Sequence, residues 1–288
     1  WGKPFWAWNG ALDPEELRRQ VRVMHRMGLG GFFMHSRVGL ATPYLSKEWH
    51  DCTRACVDEA KKLGMEAWLY DEDRWPSGAA GGLVTKNPKY RERYLKLAFA
   101  DAPAGLRWQA NTVAAYVARI DGVTATDVRR VARGKRPAPL AEGERILIFT
   151  LEAAGCSSWY NGYTYLDTMS HEAVREFIKV THEAYRKEIG REFGKTVPGM
   201  FTDEPNNNHK LGTHGDWPGG KGEGTTAWTP KLPVIFKQRY KYDLLDHLPE
   251  LFFDLAGEPV SRARYHYHDC CTFLFVDAFA RQIGEWCE

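Results

Sequence analysis

Met200-Phe-Thr-Asp-Glu-Pro205 decides how this chain is read. The apolar run from Val197 to Phe201 has β character, and it stops abruptly at two carboxylates, Asp203 and Glu204. Pro205 then forbids further ladder pairing. Working back toward the N-terminus, Glu66-Ala-Trp-Leu-Tyr70 ends the same way, in Asp71-Glu72-Asp73 followed by Arg74-Trp75-Pro76-Ser77-Gly78. Strands that stop in acids, beside aromatics and turn residues, suit the rim of a (β/α) barrel, where functional side chains sit at strand C-termini. Two carboxyl clusters on separate strands also match glycoside hydrolysis, which needs a proton donor and a base or nucleophile.

The residues before Asp71 supply two strand–helix repeats. Pro4 to Trp8 reads as a short strand closed by Asn9-Gly10. Asp13 caps a helix with Pro14 at its first position and Glu16 three residues on. Leu17, Val21, Met24 and Met27 form its apolar stripe. Gly31 to Met34 is a second strand ending in His35-Ser36-Arg37. Ser46 to Leu63 is a second helix, stopped by Gly64. Such alternation predicts parallel strands joined by right-handed crossovers.

From about Tyr94 the period changes to alternating β. Tyr94 to Ala100, Thr112 to Ile120, Asp127 to Val131 and Ile146 to Leu151 are separated by polar and Gly/Pro turns. This predicts a small antiparallel module inserted after the third strand. A helix begins at Ser170 and leads into the strand 197–201. The stretch from Asn206 to Thr229, with His209, His214, Trp217 and Trp228, reads as a binding loop or lid. Helices are expected from Pro230 to Tyr240, Asp243 to Leu255 and Val260 to Trp286. The organisation expected is therefore residues 1–93 as three β/α units, 94–166 as the insertion, and 167–288 as a fourth unit with its loop and helices. The fold class is α/β, the N-terminal half of a (β/α)8 TIM-type barrel, to be completed by missing C-terminal domains or by a second copy in a homo-oligomer.

Composition narrows the partners. Net charge is +2 with acids and bases interspersed, and the run Arg129 to Arg136 reads as a solvated turn, so nucleic acid is not an expected partner. No apolar stretch approaches the roughly 18–20 residues of a membrane span. The six Cys lack the spacing of a disulfide framework or a zinc site, and reduced thiols fit a cytoplasmic protein. Eleven Trp exceed the needs of a core of this size, which suits a site where sugar faces stack on indoles.

Four motifs in order carry a resemblance. Phe5-Trp-Ala-Trp-Asn-Gly10, Gly30-Gly-Phe-Phe-Met-His35, Trp68-Leu-Tyr-Asp-Glu-Asp-Arg-Trp-Pro-Ser-Gly78 and Phe201-Thr-Asp-Glu-Pro205 resemble the catalytic half of α-L-rhamnosidases of glycoside hydrolase family 106. The resemblance implies a (β/α)8 catalytic barrel, two catalytic glutamates and inverting hydrolysis, with calcium near the sugar in some members. By position the glutamates fall on Glu72 and Glu204. No cofactor is required for the chemistry itself.

The expected catalytic pair is thus Glu204 and Glu72, with α-L-rhamnose as the expected terminal sugar. Asp203 is expected to point away from Glu204, as its neighbour along a strand. Trp8, His35, Arg37, Asp71, Trp75, Asp203 and Asn206 are the expected sugar-binding residues, with Tyr160 and Asn161 behind them. Asp71, Asp73 and Asn206 offer oxygens of the kind calcium takes, without an ordered ligand spacing. Two alternatives stand beside this reading. One is a retaining β-glycosidase with Glu204 as acid/base; the other is a non-catalytic or truncated carbohydrate-binding relative.

Overall fold

The computed structural model describes residues 1–207, 224–255, 257 and 260–288. His209, His214 and Trp217 of the expected loop lie outside the described residues. The chain divides into two compact units: residues 1–91, 155–166 and 172–206 form the first, and 92–154, 167–171 and 207–288 the second.

In chain order the elements begin with β1 (Phe5–Gly10), α1 (Pro14–Arg26), β2 (Gly31–Leu40), α2 (Lys47–Leu63) and β3 (Glu66–Tyr70). Then come β4 (Arg93–Ala100), β5 (Thr112–Asp121), β6 (Thr124–Val131) and β7 (Glu144–Ala153). The chain continues through α3 (His171–Val180), α4 (His182–Ile189), β8 (Met200–Phe201), β9 (Gly224–Trp228), α5 (Leu232–Tyr240) and β10 (Asp254–Leu255). It closes with α6 (Arg262–Phe275), a π turn at Val276–Arg281 and α7 (Gln282–Cys287).

The first unit is built on a parallel sheet in the order β1-β2-β3-β8. Its helices start and stop where the caps dictate. The Asp13 carboxylate accepts the Glu16 N–H at 2.8 Å, and the Ser46 hydroxyl accepts the Trp49 N–H at 3.2 Å. Gly64 ends α2 in the left-handed region at φ 65°. Alternation along the strands then sorts the side chains. Trp6, Trp8, Phe32, Met34, Ala67, Leu69 and Met200 face the helices and pack with Leu17, Val21, Trp49, Cys56 and Tyr185. The opposite face carries Phe5, Phe33, Trp68 and Phe201, with ring centroids 4.9–5.9 Å apart between Phe5, Phe33 and their neighbours. Parallel strands leave no room at close approaches: a Cβ on Gly31 would lie 2.6 Å from the Glu66 carbonyl oxygen, and one on Gly199 2.6 Å from the Trp68 ring.

The helix expected from Ser170 is broken in two. The Thr181 hydroxyl donates to the Phe177 carbonyl at 2.8 Å and contacts His182 Nδ1 at 2.7 Å, and its backbone (φ −102°, ψ −70°) is distorted from regular helical values.

The second unit holds a six-stranded sheet in the order β10-β6-β5-β7-β4-β9. All its pairings are antiparallel except β10 with β6. Asp121 opposes Thr124 across a two-residue turn with Gly122 at φ 57°, so β6 starts three residues before the expected Asp127. The core joins Leu95, Leu97, Tyr116, Phe149 and Trp228 of the sheet to Phe236, Leu248, Phe253 and Tyr267. No helix forms over 243–255, because Pro249 interrupts it. That segment makes two 3-10 turns, Leu244–Asp246 and Leu248–Leu251, then β10.

The expected fold class is therefore corrected. A (β/α)8 barrel is not what the chain forms, and the strands 94–153 are no small appendage. The architecture is mixed α/β, with a four-stranded parallel sheet and a larger, mostly antiparallel one. After Phe201 the described chain adds no fifth parallel strand to β8; Gly224–Trp228 pairs antiparallel with β4 instead. The residues expected as one block, 167–288, are shared between the two units. Among the described residues, no helix is long and apolar enough to cross a membrane, and all six Cys are free thiols.

Candidate active site

The C-terminal ends of the four parallel strands surround a cavity of about 550 Å³ lined by Phe5, Ala7, His35, Arg37, Trp75, Phe201, Asp203 and Glu204. Phe5, Ala7, His35 and Phe201 line it by strand parity. Phe5 and Ala7 pair with Phe33 and His35, Phe33 pairs with Trp68, and Tyr70 pairs with Phe201, which places all of them on the face away from the helices. Asp203, two residues past Phe201, keeps that face. Glu204 breaks the alternation: its φ of 43° is left-handed, unusual for a residue with a side chain, and it brings this carboxyl onto the same cavity as Asp203. The expectation that the two acids point apart is corrected here.

Asp203 is firmly oriented. Its Oδ2 accepts the Tyr70 hydroxyl at 2.8 Å and lies 4.0 Å from His35 Nε2. The His35 and Tyr70 rings sit 3.9 Å apart. Burial, then the Arg37 charge, lower the His35 pKa, so its imidazole stays neutral near pH 7, and its Nδ1 is buried without a hydrogen-bond partner. Tyr70 is held as a proton donor, its pKa raised by burial and by Asp203. Glu204 is exposed, and its carbonyl accepts the Asn206 side-chain amide at 2.9 Å.

The other expected catalytic residue does not reach this cavity. Glu72 is 0% exposed, and its two oxygens accept backbone N–H groups from Asp73 and Gly78 at 2.9 Å, from Ala80 at 2.8 Å and from Gly81. Burial pushes its carboxyl up to about 8, in opposition to these four donors. Its position is that of an anchor for the loop 78–81, and no contact places it on the cavity with Glu204. The acid after it is also internal. Asp73 accepts the Ser36 hydroxyl at 2.8 Å, the Asn161 amide at 3.0 Å and the Arg74 guanidinium at 3.1 Å.

Asp71 is fully buried and is not among the residues lining this cavity. Thr202 Oγ1 donates to its Oδ2 at 2.6 Å, Ser77 Oγ donates to its Oδ1, and His182 Nε2 lies 3.7 Å away. Burial pushes the Asp71 carboxyl up to about 7 and the His182 imidazole down to about 4. Trp8, expected on the rim, is 1% exposed and packs on Trp6 and Trp49 in the helix-facing layer. Its place was readable from parity, since it shares its face with Trp6. Trp75 is 43% exposed and lines the cavity, backed by Trp159, whose indole N–H donates to the Trp75 carbonyl at 2.7 Å. Asn206 supports Glu204 from behind and is not a lining residue. Arg37 lines this cavity and a second one of about 520 Å³, alongside Asp73, Arg74, Asn161 and Tyr163.

Sequence reasoning overlooked Tyr70, Ser77, Thr202 and Tyr165. Tyr70 carried a signal, as the residue of β3 that shares Trp68's face immediately before the acids. The hydroxyls of Ser77 and Thr202 carried none, because their partners lie 6 and 131 residues away.

The suggested oxygens do not fit calcium. Those of Asp71 are taken by two hydroxyls, those of Asp73 by a hydroxyl, an amide and a guanidinium, and the Asn206 side chain turns to its own loop. Among the described residues no group of three or more His, Cys, Asp or Glu side chains has the arrangement to hold a metal ion.

No protein-family model matches the chain, and no curated protein matches it. One solved structure with a similar fold is that of a glycosidase. It is the rhamnosidase from Novosphingobium sp. PP1Y, with a TM-score of 0.57 and 13% sequence identity over 98% of this chain. The chain spans 44% of the length of that protein. At this identity the likeness is one of fold.

Proposed function

We propose that this chain carries part of the catalytic site of a glycoside hydrolase that removes a terminal sugar, with α-L-rhamnose as the sugar to test first. The observation that carries the reading is the placement of Asp203 and Glu204 on one wall of an aromatic-lined cavity, large enough for a monosaccharide. Phe5, Trp75 and Phe201 give apolar surface for a pyranose face, and Arg37 and His35 give groups for hydroxyls. The fold shared with a rhamnosidase supports the choice of sugar.

In this mechanism Glu204, the exposed carboxyl, transfers the proton to the glycosidic oxygen. Asp203, held by Tyr70, stays in place as the charge that stabilises the oxocarbenium-like transition state. The two act from one side of the sugar, and attack by water on the other face falls to a group outside this lining. Glu72 takes no part in proton transfer; it holds the loop 78–81, which follows Trp75 and Ser77 in the chain.

The test is hydrolysis of nitrophenyl glycosides, the α-L-rhamnoside first, by the full protein and by Glu204→Gln and Asp203→Asn. Each variant is expected to lose roughly 100- to 10,000-fold in turnover while folding normally. Turnover by Glu204→Gln equal to that of the parent rejects the assignment.

A further inference from the structure

We infer that Asp71 is the positioning residue of this site: from beneath the cavity it fixes Thr202 and Asp203, and through them the direction of Glu204. The inference rests on the reading of Glu204 as the proton-transferring group. Asp71 touches neither cavity, yet it holds both residues that precede Glu204. Thr202 donates its hydroxyl proton to Asp71 Oδ2 at 2.6 Å. Ser77 donates its hydroxyl proton to Asp71 Oδ1, and Ser77 Oγ accepts the Asp203 N–H at 2.9 Å. The Ser77 N–H donates in turn to the Asp203 carbonyl at 2.8 Å. Ser77 therefore grips the Asp203 peptide at both its polar groups, and Asp71 holds Ser77.

The grip extends to the other flank of Glu204. The Ser77 carbonyl accepts the Tyr165 hydroxyl at 2.7 Å, and that hydroxyl accepts the Asn206 N–H at 3.4 Å. A residue with a side chain holds a φ of 43° only where its surroundings enforce it. Here residues 202, 203 and 206 are tied to one buried assembly, and Glu204 lies between them.

The polarity of the assembly matters as much as its shape. The side-chain hydrogen bonds at Asp71 Oδ1 and Oδ2 both arrive from hydroxyl donors, so the position requires an acceptor on both oxygens. An amide there presents N–H to one of the two hydroxyls. If that is Ser77, its oxygen must accept from both the amide and the Asp203 N–H, and its own proton loses its partner. The geometry is thus sensitive to a change that leaves volume nearly untouched. The remaining group facing Asp71, His182 at 3.7 Å, lies beyond hydrogen-bond distance and does not replace either hydroxyl.

The test compares Thr202→Val, which keeps the shape and removes the hydroxyl, with Thr202→Ser, which keeps the hydroxyl, and with Asp71→Asn, all in the full protein. Two readouts are taken: kcat and KM on the nitrophenyl glycoside that the parent cleaves, and amide hydrogen exchange over residues 201–206. Thr202→Val and Asp71→Asn are expected to lower kcat roughly 10- to 100-fold with KM within about threefold, and to speed exchange at 201–206. Thr202→Ser is expected to restore kcat to within about threefold of the parent. Parental kcat and exchange in Thr202→Val overturn the inference, as does a Thr202→Ser variant as impaired as Thr202→Val. Should Asp71→Asn not fold, the Thr202 pair decides the matter. Parental turnover in Glu204→Gln defeats the reading of Glu204 itself, and the exchange rates still report whether Asp71 fixes the segment.

Discussion

Replacing Glu72 by Gln separates two roles that a carboxyl at this position can have. A catalytic glutamate loses turnover on this change and keeps its fold. The cradle seen here predicts the reverse order of effects. Four backbone N–H groups, from Asp73, Gly78, Ala80 and Gly81, converge on two oxygens in a fully buried site. A glutamine keeps one oxygen and presents an NH2 where the other stood, so two of the four donors face a donor. Each buried N–H left without an acceptor costs about 1–3 kcal/mol, and the pair therefore costs roughly 2–6 kcal/mol. A loss of that size is a large part of the stability of an ordinary domain. Urea and thermal unfolding measure it directly, and amide exchange should show the loop 78–81 opening first. An unchanged unfolding midpoint, together with lost hydrolysis, would refute the cradle and return Glu72 to the chemistry.

Other expectations are simpler to check. Gly31→Ala drives a Cβ against the Glu66 carbonyl, which is backbone and cannot turn aside, so thermal unfolding should report a loss of about 1–3 kcal/mol. Burial pushes His182 down to about 4, so between pH 6.5 and 4 the unfolded chain takes up a proton that the folded one refuses. The His182 contribution should accordingly be complete above pH 6.5 and fall by roughly 3 kcal/mol as pH drops through that window, read as the difference between the stability curves of the parent and of His182→Asn. Trp75→Ala, which removes an exposed ring from the cavity wall, should raise KM for a glycoside substrate several-fold and leave the unfolding midpoint unchanged.

The parallel unit was largely legible in the sequence because its signals are local. Asp13, Ser46 and Gly64 mark helix ends by their own chemistry, and the apolar runs Gly31 to Met34 and Glu66–Tyr70 follow directly, although the first strand continues through polar residues to Leu40. The larger sheet was only half legible. Its four consecutive strands show the alternation, but Gly224–Trp228 and Asp254–Leu255 join it across more than a hundred residues, which no local pattern announces. The site divides along the same line. Strand ends rich in acid pointed to the region of Asp203 and Glu204, which the structure places on a cavity. They did not distinguish an acid that faces the cavity from one that turns into a loop. A clue to Glu72 lay in Ser77-Gly-Ala-Ala-Gly-Gly82, a tight run whose N–H groups need an acceptor. The direction of Glu204 was hidden for a different reason: a left-handed residue overrides the two-residue alternation from which its neighbour's side was inferred.

The three consecutive acids at the end of β3 each secure a different part of the molecule: Asp71 the segment beneath Glu204, Glu72 the loop 78–81, and Asp73 Ser36 and Asn161. A saturation scan of this protein would therefore score residues 71 to 73 as intolerant as 203 and 204. Intolerance at all five would tempt a reader to draw one five-carboxylate active centre. Only a scan that records abundance separately from turnover would divide them into supports and reagents.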